Sequence, residues 1–314
     1  MYGKTNRSSE YVNSLLDFIK HEYGIDATSI TPAKRGFFGE TWKIGTNTQF
    51  YFVKLDYSHA HKYVYEQSLL AVEHLRSYGI KNISSVVRTK NSSLSTCYGD
   101  AVIGIFEWIN GENIETDETK IPEYHMMAKV YTVPAIGLAI PAEDFSGGSA
   151  DKFFSQWKDI NDKNLNMLFE KNRGKLEFRA NRLKSLANDC QKDKSGFFIT
   201  HGDAGGNMIK NENGYFIVDW DEAKLAPPER DAWNMLNYEG KSGWARCLFQ
   251  KALKSESIDY ALQNKRLLYY CYYYYFFYLT EHLDAYMQLG DIHEEVMNYF
   301  SGWVESRASF ADRQ

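Results

Sequence analysis

The chain has 314 residues, 44% hydrophobic and 16% aromatic, with a formal net charge of −5. That is enough apolar material for a substantial core in one large domain or two lobes, and the acidic balance carries no electrostatic footprint for nucleic acid. Cys97, Cys190, Cys247 and Cys271 form no CxxC pair and the amino terminus has no basic region followed by a long apolar run, so reduced packing thiols in a cytoplasmic protein are expected.

Ser8 or Ser9 caps a helix whose Val12, Leu15, Leu16, Phe18 and Ile19 fall on one face. After Pro32 come short strand-like pieces, with Arg35-Gly36-Phe37-Phe38-Gly39-Glu40 as a turn able to fold over phosphates. QFYFVKL, residues 49–55, has the composition of a buried strand, and Lys54, its only cation, must reach water or an anion. In residues 60–77, Tyr63, Glu66, Leu69, Leu70 and Glu73 recur at helical spacing. AVIGIFEWI, residues 101–109, reads as a strand leading to a turn at Asn110-Gly111. Residues 110–200 are mainly helical by pattern, broken by a loop at 145–149, and the helix in 181–196 is expected to stop at Gly196. Phe197-Phe198-Ile199 forms a short strand that delivers His201 and Asp203. Further on, LLYYCYYYYFFYLT at 267–280 is shorter than the roughly 20 residues that span a bilayer. It reads as a buried aromatic helix ending at Glu281, His282 and Asp284.

The most informative stretch is HGDAGGNMIKNENGYFIVDWDEAKLAPPERDAW, residues 201–233. Asn213-Gly214 suits a tight two-residue turn, and the flanks MIK and YFIVD are apolar enough to be strands. A turn centred there sets Met208 opposite Asp219, with Asn207 at the same open end of the hairpin. A carboxylate and an amide oxygen side by side suit Mg²⁺, which takes hard oxygen ligands and retains waters. Asp203, on the loop upstream, is placed to accept a proton from a hydroxyl.

The order His-x-Asp, then Asn, then a hairpin ending in Asp resembles the catalytic core of the protein-kinase fold. His201-Gly202-Asp203 stands where kinases have His-Arg-Asp, and Asp219-Trp220-Asp221 where they have Asp-Phe-Gly. The glycine at the second position, the Asp-x-Asp ending and Pro228-Glu229-Arg230-Asp231 resemble the aminoglycoside phosphotransferase and choline kinase family. IVDWDEAKLAPPERD is most similar to its spectinomycin-phosphotransferase branch. The kinase pattern leaves four residues between Asp and Asn, whereas this chain has three, Ala204, Gly205 and Gly206. The shorter loop shifts Asn207 relative to Asp203, and the two glycines give the backbone freedom to compensate. The resemblance follows the order of elements over nearly the whole chain but is tight only over residues 197–233.

What it implies is an α+β, bilobal protein-kinase-like fold. An antiparallel-sheet nucleotide lobe would occupy residues 1–109, and a mainly helical catalytic and substrate lobe residues 110–314. By the same resemblance Lys54 contacts the α- and β-phosphates of ATP, Glu66 is its helix partner with Glu73 as the competing candidate, and Glu107, Trp108 and Ile109 form a hinge that holds adenine through backbone atoms. Asp203 is the base and His201 braces its loop, while Asn207 and Asp219 hold Mg²⁺ with Asp221 as an additional ligand. Asp231 and Trp233 are structural. The implied reaction moves the γ-phosphoryl group of ATP or GTP to a hydroxyl of a small molecule such as an aminoglycoside or aminocyclitol antibiotic. A kinase of a cellular metabolite (choline, methylthioribose or homoserine) and a non-catalytic nucleotide-binding module stay open. Glu222, Glu281 and Asp284 would favour a cationic substrate, and neither nucleic acid nor membrane is expected as a partner.

Overall fold

The computed structural model describes residues 7–33, 39–58, 64–289 and 294–314. Packing divides the chain into two compact units, residues 1–141 with 201–225, and residues 142–200 with 226–314. The motif segment therefore packs with the amino-terminal part of the chain.

The first unit opens with α1 (Ser9–Tyr23), where the Ser8 side chain accepts a hydrogen bond from Tyr11 N at 3.1 Å and Gly24 closes the helix at φ +73°. Strands β1 (Ser29–Pro32), β2 (Gly39–Gly45) and β3 (Phe50–Asp56) follow, then α2 (Tyr65–Ser77), β4 (Val86–Val87), β5 (Thr96–Tyr98) and β6 (Ala101–Glu107). They pair antiparallel in the order β1-β2-β3-β6-β4, with β5 also on β6. Strand alternation sorts the side chains. Val53 and Leu55 of β3 and Ala101, Ile103 and Ile105 of β6 face Leu15, Ile19 and Tyr23 of α1 in one buried core. Phe52 and Lys54 therefore share the opposite face with Val102, Gly104 and Phe106, where Tyr65 and Leu69 of α2 pack. Each fully buried aliphatic side chain contributes about 1.5–3 kcal/mol, which fixes the strand register because a one-residue slip would exchange the two faces. After the short β7 (Glu112–Asn113), the Pro-containing α3 (Lys120–Tyr131) completes this stretch of the first unit.

In the second unit, α4 (Gly148–Asp159) and α5 (Lys163–Gln191) lead to β8 (Phe198–Thr200). Helix α5 ends at Gln191, five residues before the expected stop, and Gly196 instead takes φ +67° in the turn before β8. The first unit resumes with β9 (Met208–Asn211), β10 (Gly214–Ile217) and β11 (Lys224–Ala226). The second then runs through α6 (Glu229–Leu236), α7 (Ser242–Ser255), α8 (Asn264–Leu289), α9 (Glu294–Met297) and α10 (Trp303–Ala311).

The aromatic run lies within α8, which α4, α5, α6 and α10 surround. Tyrosine suits this core because the ring is buried while the hydroxyl still finds a partner. Tyr269 donates to Ser146 O at 3.0 Å, Tyr270 to Glu143 at 3.1 Å, Tyr272 to Asp312 at 3.0 Å and Tyr275 to Glu305 at 3.2 Å. Trp233 is buried and stacks on Tyr274 with ring centres 5.0 Å apart, while Asp231 lies in the first turn of α6. Glu281, His282 and Asp284 do not end the aromatic helix, which continues to Leu289; the first two are buried, and Asp284 accepts from Lys152 and Gln156 at 2.6 Å each. No helix among the described residues is long and apolar enough to cross a membrane.

Candidate active site

The β9–β10 hairpin carries the motif, in a register two residues from the expected one. Met208 faces Ile217, not Asp219, and Asn211 faces Gly214. The cause is the turn: Asn211 accepts Asn213 N–H on its side-chain oxygen at 2.8 Å, so Glu212 and Asn213 form the loop and Gly214 opens β10 at φ +113°. A shift of two preserves which side chains face which way, but it leaves Asp219 beyond the ladder. There Asp219 takes a left-handed backbone, φ +67°, a conformation short polar residues tolerate and most others resist. Val218 N–H donates to Asn207 O at 3.0 Å, so the hairpin end still holds Asn207 beside the strand that leads to Asp219.

His201 is buried against Trp220, ring centres 4.7 Å apart. Its Nδ1 accepts Asp203 N–H at 3.2 Å, so its Nε2 carries the hydrogen donated to Val218 O at 2.8 Å. The imidazole thus joins the two motif strands as a neutral brace. Gly202 between them has φ +96°, which accounts for glycine at the position where kinases carry arginine.

The shortened loop folds as a single 3₁₀ turn, Gly205–Asn207, and draws Asn207 back onto Asp203. Asn207 Nδ2 donates to Asp203 O at 2.8 Å and to its carboxylate at 3.3 Å. Beneath the turn lies a buried ion pair on α3, Lys120 to Glu123 at 2.7 Å. A β-carbon on Gly205 would stand 2.3 Å from Lys120 Nζ. Sequence reading passed over this pair, because Lys-x-x-Glu on a helix has the same spacing whether solvated or buried.

Enclosure by surrounding protein, then the negative fields of Glu222, Asp219, Glu115 and Glu123, pushes the Asp203 carboxyl up to about 7. The side chain is itself open to solvent, so water weakens both the burial and the reach of those fields. Lys54 Nζ donates to Asp219 Oδ1 and to Asp221 Oδ2, both at 2.7 Å. Burial works against the Lys54 charge, yet the two aspartates prevail and hold the ammonium well above its ordinary value. Burial, reinforced by Asp221, raises the Asp219 carboxyl despite Lys54.

Glu66 does not engage Lys54. It accepts Leu94 N–H at 3.0 Å, and Glu73 pairs with Arg88. The physical reason is one residue of helix rotation: Tyr65 turns inward to the sheet face that bears Lys54, which aims Glu66 away. At the expected hinge, Glu107 N–H donates to Ser85 O at 2.9 Å and Trp108 N–H to Phe50 O at 3.1 Å. Phe52 packs near Phe106 and Trp108, and Ile109 follows. Of the expected phosphate turn, Glu40 is held by Arg7 at 2.5 Å and by Tyr11, and residues 35–38 lie outside the described residues, as do residues 60–63 of the expected helix.

Asn207, Asp219 and Asp221 present hard oxygen donors of the kind Mg²⁺ takes, and an ammonium already sits between the two carboxylates, so the residues present fit a divalent cation. Among the described residues, no three His, Cys, Asp or Glu side chains are grouped to hold a metal ion by themselves.

No family model and no curated protein matches the chain. Among solved structures it is similar to a spectinomycin phosphotransferase in complex with ADP and spectinomycin, at 20% identity and TM-score 0.74, over 96% of this chain and 98% of that one. An amicoumacin kinase in complex with AMP-PNP, Ca²⁺ and Ami is similar at 11% identity and TM-score 0.63, over 98% of this chain and 97% of that one. The choline kinase LicA from Streptococcus pneumoniae is similar at 16% identity and TM-score 0.61, over 96% and 97%. The fold is therefore the α+β fold of the kinase-like phosphotransferases, an antiparallel sheet followed by a largely helical remainder.

Proposed function

We propose, from a fold shared with antibiotic phosphotransferases and choline kinase, that this chain is a phosphotransferase moving the γ-phosphoryl group of a nucleoside triphosphate to a hydroxyl of a small molecule. The observation that carries the reading is the convergence of Lys54, Asp219 and Asp221 at 2.7 Å contacts, with an aspartate poised near neutral pH on the adjoining loop. ATP is the proposed donor, since neighbours of the same fold hold ADP or AMP-PNP.

In this mechanism Lys54 leaves the aspartate pair to hold the phosphates, and Ile109 would offer adenine its hinge backbone atoms, the Glu107 and Trp108 amides already donating to Ser85 O and Phe50 O. Asp203 orients the acceptor hydroxyl and takes its proton as the oxygen–phosphorus bond forms and the bond to the departing nucleoside diphosphate breaks. His201 keeps the loop in place. Asn207, Asp219 and Asp221 would hold Mg²⁺, which when bound neutralises phosphate charge. Residues 1–109 would serve as the nucleotide lobe and residues 110–314 as the catalytic and substrate lobe.

The acceptor is proposed to be a cationic aminocyclitol or aminoglycoside. Glu115, Glu123, Asp219 and Glu222 all act on Asp203, and a positively charged acceptor would relieve that crowding. The likeness to choline kinase supports a cationic metabolite as the second reading. A mass-spectrometric screen of spectinomycin, several aminoglycosides, choline, methylthioribose and homoserine with Mg·ATP and Mg·GTP tests both. One added phosphoryl group on an acceptor, absent with Asp203→Asn, is expected; an inert protein that also binds no nucleotide would leave only a kinase-like shell.

A further inference from the structure

Lys54 and Gly104 are cross-strand partners on the sheet face turned away from α1. Gly104 has no side chain there, and Tyr65 from the first turn of α2 fills the space: a β-carbon on Gly104 would lie 2.8 Å from the Tyr65 hydroxyl oxygen. Tyr65 is 0% exposed, and among the described residues its hydroxyl has no hydrogen-bond partner. A buried hydroxyl left unpaired is costly, so its presence against a charged cluster calls for a second state in which it is paired. Among the charges that act on it, Asp221 is the strongest, followed by Lys54, Asp56 and Asp219. Burial, with Asp221 next, also holds the phenol well above its ordinary value, so it stays a donor. One turn along the same face of α2, Ser68 donates to Ala223 O at 3.2 Å, which ties this helix to the segment that carries Asp221.

On the phosphotransferase reading above, nucleotide phosphates draw Lys54 off Asp221, a buried carboxylate that then loses its donor. We propose that Tyr65 is a positioning residue in place of the expected helix glutamate: when Lys54 moves to the phosphates, the Tyr65 hydroxyl donates to Asp221 and keeps that carboxylate in position. Glu66 cannot do this while it holds Leu94 N–H.

Tyr65→Phe removes the hydroxyl and little else. Without ligand, its melting temperature should equal or exceed that of the wild type, because no hydrogen bond is lost. Calorimetric titration should show ATP binding weakened roughly tenfold or more, the factor for one hydrogen bond to a charged group. Adenosine, which has no phosphate to draw Lys54 away, should bind both proteins equally. Equal ATP affinities would overturn the proposal, as would a weakening that extends to adenosine or a ligand-free melting temperature several degrees lower, each of which marks a structural hydroxyl. Wild-type protein that binds no ATP would sink the phosphotransferase reading itself, and the Tyr65 role with it.

Discussion

The Asp203 carboxyl, raised above its ordinary value by enclosure that water weakens and by four neighbouring carboxylates, gives up its proton at a higher pH than a free aspartate. Turnover that needs it as a base should fall as pH drops through about 7, and the acid limb of a pH–rate profile would check this. The folded value of Asp203 lies above the ordinary carboxylate value, so the folded protein binds the extra proton between about pH 4 and 7; the charge disfavours folding above that window and not below it. Asp203→Asn is therefore expected to melt at a higher temperature than wild type at pH 8, to show no such gain at pH 4, and to lose activity by roughly 10²–10⁴. A lower melting temperature at pH 8 would contradict the electrostatic account. Asp219 permits a second comparison, because its φ of +67° suits asparagine better than alanine. Both substitutions should abolish turnover, but Asp219→Ala should also be about 1 kcal/mol less stable than Asp219→Asn in urea unfolding.

The 3₁₀ turn at Gly205–Asn207 is packed directly over the Lys120–Glu123 pair, so a side chain on Gly205 makes the Lys120 ammonium shift within a buried ion pair. Gly205→Ala should lower stability by about 1–3 kcal/mol, and a neutral result in thermal denaturation would show that the loop lifts freely. At this scale the sequence was most readable where burial repeats with a period. Helix α1 and its Ser8 cap, β3 with Lys54, β6 and the aromatic α8 all follow from spacing and composition. The β9–β10 register was not readable, since Asn213-Gly214 advertises a turn one residue late and the deciding contact is the Asn211 side chain on Asn213 N–H. Nor was the choice between Tyr65 and Glu66. Both fit a helix, and only the absent side chain of Gly104, on another strand, makes room for one of them.

Over the whole chain, the contacts that define the site join residues far apart in sequence: Lys54 meets Asp219 across 165 positions and Asp221 across 167. No local pattern reports such a pairing, whereas the ordered wording of residues 201–233 pointed to the fold that the solved structures share. The second unit has its own long-range anchor. Arg179 is fully buried between Glu305 at 2.8 Å and Asp312 at 2.7 Å; without it Glu305 keeps Lys175 at 3.0 Å and Asp312 keeps the Tyr272 hydroxyl at 3.0 Å. Arg179→Met, which removes the cation they share but leaves each carboxylate a partner, should cost about 1–3 kcal/mol in denaturant unfolding, with a cost under 1 kcal/mol marking the network as dispensable. Whether Lys54, Asp219 and Asp221 form a nucleotide and Mg²⁺ site is tested by a calorimetric titration of ATP with and without Mg²⁺ on wild type and Asp219→Asn. Wild type should bind ATP, Mg²⁺ should strengthen that binding, and Asp219→Asn should lose the strengthening. Binding indifferent to Mg²⁺ in both proteins, or no binding at all, would contradict it.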